Sequence, residues 1–136
     1  MKLSGALSWT LLWLFAGAAQ ACVADLPGAT AKKLESARYG LAYRTQPEKI
    51  SVGKHFAVEL ALCADQGAAL PESVKVDAHM PEHRHGMNYK TSVSALPGGR
   101  FRAEGLMFHM AGRWEFVFEV RAAGKTDRLT QSILVE

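Results

Sequence analysis

Short runs of alternating apolar residues, turn-forming residues between them and the absence of any sustained 3.6-residue period predict an all-β chain. The reading is an immunoglobulin-like β-sandwich of about seven strands. At 136 residues there is room for one domain and none for a separate catalytic one. An eight-stranded barrel is the alternative closure of the same strands.

Lys2 is followed by an almost wholly apolar run over residues 6–18 and then by Ala19-Gln20-Ala21. A basic start, a short apolar stretch and a small-x-small site make up a secretory signal peptide. The run falls short of the roughly 20 residues that span a bilayer. Residues 1–21 are therefore read as signal peptide, 22–37 as a flexible lead-in and 38–136 as the domain, in a periplasmic protein; an uncleaved anchor is the rival reading. Cys22 and Cys63 are the two cysteines, and in an oxidising compartment such a pair favours a disulfide. A lipid on Cys22, with Ala19 where a lipobox usually has Leu, or two free thiols are the alternatives. Attachment to a membrane enters only through that lipid or an uncleaved signal. The net charge of +3 includes no basic run and no aromatics among the arginines, which excludes nucleic acid as a partner.

Along the chain, Tyr39, Leu41 and Tyr43 alternate with smaller or polar residues as a first strand until Pro47 breaks it. Residues 50–53 form a short extended piece ending in a turn glycine. Residues 55–63 give the clearest strand, with Phe56, Val58, Leu60 and Leu62 inward and His55 a solvated surface residue. After a loop with Gly67 and Pro71, Val74, Val76 and Ala78 alternate along a further strand. Residues 89–95 alternate weakly, and Pro97-Gly98-Gly99 turns the chain toward Phe101. Leu106, Phe108 and Met110 share one parity, with Met107 and His109 on the other. Trp114, Phe116, Phe118 and Val120 form the strongest amphipathic strand, with Trp114 a core aromatic. Residues 122–127 turn the chain into a last strand over 129–135.

Two segments stand apart chemically. Of five histidines and five methionines, His79, Met80, His83, His85 and Met87 lie in residues 76–88, and Met107, His109 and Met110 in residues 106–114. Imidazole and thioether are the side-chain ligands that suit copper, sulfur favouring Cu(I). If residues 83–87 are extended, His83, His85 and Met87 point the same way, and His109 and Met107 are presented by the second segment. The expected ligands are His83, His85, Met87 and His109, with His79, Met80 and Met107 in reserve. Against this, Met80 and Met110 have core parity, and methionine readily fills irregular gaps. Zinc through His with Glu82 or Asp77 is the other metal reading, but it leaves the methionines without a role.

The sequence Met80-Pro-Glu-His-Arg-His-Gly-Met87, with residues 105–115 and the upstream 52–60, resembles the YtkA-like/FixH-like family of small exported or membrane-tethered domains. The resemblance spans about residues 39–135; Ala111 stands where such sequences commonly have proline. It implies an immunoglobulin-like sandwich associated with copper handling, metal efflux or oxidase assembly. The expected function is a non-enzymatic periplasmic copper-binding protein, for Cu(I) or Cu(II), in copper delivery or tolerance, with a possible protein partner in copper handling or oxidase assembly. The alternative is a non-metal accessory module in oxidase-assembly or efflux complexes. No serine elbow, Walker loop or dinucleotide fingerprint is present, so no catalytic residue is assigned.

Overall fold

The computed structural model describes residues 21–28 and 30–136, so the signal-peptide reading of residues 1–21 lies, save Ala21, outside the described residues. Two antiparallel sheets pack face to face as a β-sandwich. The five-stranded sheet contains β1 (Lys32–Glu35), β2 (Tyr39–Gln46), β3 (His55–Ala64), β6 (Ser92–Leu96) and β7 (Arg100–Met107), in the order β1-β2-β3-β7-β6. The four-stranded sheet contains β4 (Ser73–Met80), β5 (His85–Gly86), β8 (Gly112–Ala122) and β9 (Lys125–Val135), in the order β5-β4-β8-β9.

Alternation explains the layers. On β3, Phe56, Val58, Leu60 and Leu62 are buried, and on β8 Trp114, Phe116, Phe118 and Val120 are fully so. Each large side chain taken out of water this way contributes about 1.5–3 kcal/mol. Rings from both sheets meet between the layers. Phe108 lies stacked on Trp114, with centroids 4.4 Å apart and planes 14° from parallel, and Phe56 meets Phe108 edge-on at 4.9 Å.

Among the described residues nine strands are present rather than about seven. One addition is β1, in the stretch expected as a lead-in ahead of the domain. That stretch is tied down instead: Cys22 is disulfide-bonded to Cys63, the Cys22 N–H donates to Asp65 Oδ1 at 2.7 Å, and Ala24 and Leu26 are buried against Ala42 and Ala61. Small residues on the outer face of β2 and β3 leave room for this cover. The other addition is β5, a two-residue strand that pairs back on β4. Residues 50–53, expected as extended, form a turn whose Gly53 N–H donates to the Phe108 carbonyl at 2.8 Å. The last hairpin is tighter than expected, with Ala123 and Gly124 both at positive φ (48° and 71°), and β9 begins at Lys125. Two such residues make the hairpin turn whose twist matches the flanking strands.

One irregularity changes the pattern of β7. Phe101 and Ala103 face inward at odd positions, yet Leu106 and Phe108 face inward at even ones. The register with β3 slips between Phe56 and Val58, so that Glu104 and Gly105 share the space opposite Ala57. This is a β-bulge, and Gly105 sits in it at φ 86°, where a Cβ is strained. The extra residue turns Met107 outward.

Ion pairs fix the layers and the sheet. Arg38 clasps Asp127 on β9, which also accepts from Ser36 at 2.8 Å. On the outer face of the five-stranded sheet Glu59 lies between Arg44 and Arg102, directly opposite both in register. Hydrogen bonds from Arg38 hold the Asp127 carboxyl below the usual carboxylate range, and those from Arg44 do the same for Glu59.

Two outcomes follow for stability. Carboxylates depressed in the folded state contribute stability that is present above the unfolded value of about 4 and lost as pH falls through the folded one. The denaturant midpoint should therefore drop on acidification below pH ~4, and drop less steeply in Asp127→Asn and Glu59→Gln. The Cys22–Cys63 link spans 41 residues, and loop closure of that length corresponds to about 4 kcal/mol. Reduction should lower unfolding free energy by roughly that amount, measured by equilibrium denaturation of oxidised and reduced protein.

Candidate metal site at the end of the sandwich

The first His/Met segment is not one extended piece. Residues 81–84 form a turn, Arg84 has φ 54°, and the His83 N–H donates to the Met80 carbonyl at 3.2 Å. Pro81 lacks an N–H and cannot continue the ladder, so the chain reverses and pairs back on β4, with His79 opposite Gly86 and Met80 opposite His85. Directly opposed residues share a face. His85 therefore points to the inner side with Met80, and His79 to the outer side, where its Nε2 lies 3.5 Å from Glu115 Oε1.

The second segment brings His109 to the same place. It follows the end of β7, and its ring lies 5.0 Å from that of His85 and 5.4 Å from that of Trp114, which His85 itself approaches at 5.9 Å. His83 is exposed beside them, its ring 5.7 Å from that of His85. Three of the expected ligands thus gather at the rim, where the β4–β5 hairpin meets the chain between β7 and β8. Met87, two residues beyond His85, is half-buried and packs against the core.

The other reserve ligands lie elsewhere. Met80 is fully buried among core side chains, its inward parity shared with Val76 and Ala78. Gly112 makes room for it, since a Cβ there would lie 2.7 Å from Met80 Cε. Met107 is turned outward by the bulge and sits across from His55 on the five-stranded sheet, so sharing a parity with His109 does not give it a shared location. His55 is exposed, as expected, and the Tyr89 ring meets it edge-on at 5.1 Å. His79 is held on the outer face by Glu115, a partner no sequence signal announced.

The nitrogens are arranged unequally. His85 Nδ1 lies 3.2 Å from the Gly86 carbonyl oxygen. A carbonyl only accepts, so this contact is a hydrogen bond in the tautomer that protonates Nδ1, the one that leaves Nε2 as a donor atom for a metal. Metal-binding histidines are commonly oriented by such a backbone carbonyl. His109 Nδ1 is buried without a hydrogen-bond partner among the described residues, an arrangement that costs about 1–3 kcal/mol unless something occupies the space beside it. Trp114 is satisfied, its Nε1–H donating to the Met110 carbonyl at 3.1 Å. Among the described residues no three His, Cys, Asp or Glu side chains form a group that could hold a metal ion. A third donor must come from a thioether or from rotation of the exposed His83 ring.

Residues 40–119 match the YtkA-like family, which is more than half of the chain and includes every residue of this rim. The chain belongs to the YtkA-like family. A solved structure of a DUF4426 family protein from Pseudomonas aeruginosa PAO1 is similar to this YtkA-like chain in fold. Its TM-score is 0.50 at 11% sequence identity, covering 79% of this chain and 97% of that one. At that identity the likeness concerns the fold alone. No curated protein matches the chain.

Burial separates Met80 from the candidate ligands in a way that can be measured. Met80→Ala should cost about 2–5 kcal/mol of stability through the cavity it leaves, and Met80→Leu under about 1.5 kcal/mol. Met80→Leu should bind metal as the parent protein does, whereas His85→Ala should not; denaturation and metal titration on the same samples check both.

Proposed function

We propose that this YtkA-like protein is a copper-binding protein of an exported compartment, acting in copper delivery or tolerance, with His85 and His109 as its principal ligands. The observation that carries the reading is the convergence of their rings from two separate chain segments, 5.0 Å apart. Two imidazoles bound to one tetrahedral ion through metal–nitrogen bonds of about 2.0 Å have centroids about 5 Å apart. The oriented His85 tautomer and the unpartnered His109 Nδ1 agree with it. His83 and Met87 are the candidates for the remaining positions. The Cys22–Cys63 disulfide fits export to an oxidising compartment.

An open rim with an exposed donor suits transfer, because an incoming partner can replace one ligand at a time. The lack of a ready three-donor group favours the rival reading, in which the rim docks a protein partner without metal. Chelation separates the two, since a partner complex that survives removal of metal supports docking alone.

Titration of the disulfide-intact protein with Cu(I) kept reduced by ascorbate, followed by calorimetry, should show one ion bound per chain at micromolar concentration. His85→Ala and His109→Ala should each weaken binding at least tenfold. Absence of binding at micromolar copper removes the proposal.

A further inference from the structure

The third ring of the cluster bears on which oxidation state the site takes. We propose that Trp114 closes the copper site from the core side by a cation–π contact, so that the site selects soft monovalent ions, Cu(I) or its analogue Ag(I), over Cu(II) and Zn(II). The inference rests on the metal-binding reading of His85 and His109 and adds both a role for Trp114 and a charge for the ion.

The rings of His85, His109 and Trp114 form a nearly equilateral triangle with sides of 5.0, 5.4 and 5.9 Å. The point equidistant from the three centroids lies about 3.2 Å from each. An ion bonded to imidazole nitrogen at about 2.0 Å lies about 3.1 Å from that ring's centroid. The same position lies well inside the roughly 6 Å from the centroid within which a cation over the indole face is attracted. Ring orientation agrees: the imidazole planes meet the indole at 69° and 85° rather than stacking on it. Phe108 covers one indole face in parallel contact, which leaves the histidines the remaining approaches.

Charge decides the preference. The indole is fully buried, and no Asp or Glu completes a three-donor group with the histidines among the described residues. The nearby Glu82 is paired with Arg113 at 2.8 Å, and Glu115 faces His79 on the outer side. A divalent ion here would meet neutral donors and an apolar floor, with nothing to offset its charge. Desolvation cost grows with the square of the charge, about fourfold from a +1 to a +2 ion. Imidazole, thioether and a π-face instead form a donor set suited to a soft +1 ion.

The full-length chain carrying Trp9→Phe and Trp13→Phe retains Trp114 as its one tryptophan, so fluorescence reports this site alone. Ag(I), which stays monovalent in air, should quench that emission with one-to-one stoichiometry and bind more tightly than Zn(II) in direct competition. Trp114→Leu, which keeps an apolar side chain but no ring, should lower Ag(I) affinity by roughly tenfold and leave Zn(II) affinity unchanged, both read by calorimetry. Trp114→Phe, the better-packing substitution, should fall between. Ag(I) affinity that is unchanged in either folded variant, or tighter binding of Zn(II) than Ag(I) by the parent chain, overturns the inference while His-dependent copper binding stands. Failure of the parent chain to bind any of these ions overturns the proposed function as well.

Discussion

Contact between Phe108 and Trp114 is the interaction on which the rest of the structure depends. The two rings come from segments belonging to opposite sheets and lie flat on each other between the layers. Each belongs to a chain of close ring contacts, with Phe56 and Phe116 deeper in the core and His85 and His109 toward the rim. Core packing at this end therefore fixes the platform from which the candidate ligands project. Side chains in such close-packed interiors have little freedom to drift, so the imidazoles rest on a rigid base although the hairpin carrying one of them is short.

Two local breaks in regular pairing place the candidate ligands on that platform. The bulge at Gly105 shifts the parity of β7, which sends Phe108 inward under Trp114 and Met107 outward toward His55. The turn at residues 81–84 reverses the first segment, so that His85 falls opposite Met80 and on its face. Either feature moved by one residue would exchange inner for outer side chains, because the strand period is two. The methionines and histidines of this chain thus divide into groups with different surroundings: Met80 in the core, His83, His85 and His109 at the rim, and Met107 and His79 on the outer faces of different sheets.

Donor chemistry and placement also bear on the proposed role. A rim with one oriented imidazole, one unpartnered buried nitrogen and one exposed imidazole differs from a closed structural metal site, where four ligands surround the ion. Such an opening suits an ion held for transfer. The N-terminal segment is strapped to the sheet away from that rim, by Cys22 and by the packing of Leu26 on Ala42 and Ala61.

The strands were largely legible in the sequence because alternation is a local property. Phe56 to Leu62 and Trp114 to Val120 announce their inner face in the order of their side chains, and Pro97-Gly98-Gly99 announces its turn. Gathering of histidine and methionine in two segments was likewise visible, along with the family. What the sequence could not show was which parity survives a bulge, that β5 folds back on β4, or that Cys22, Leu26 and β1 pack on the sheet. Those outcomes depend on contacts between residues far apart in the chain, whose energies no local pattern contains. Composition therefore determined which donors the protein has, and tertiary structure decided which of them face one another, because direction in a sheet is set by register and register by the neighbouring strand.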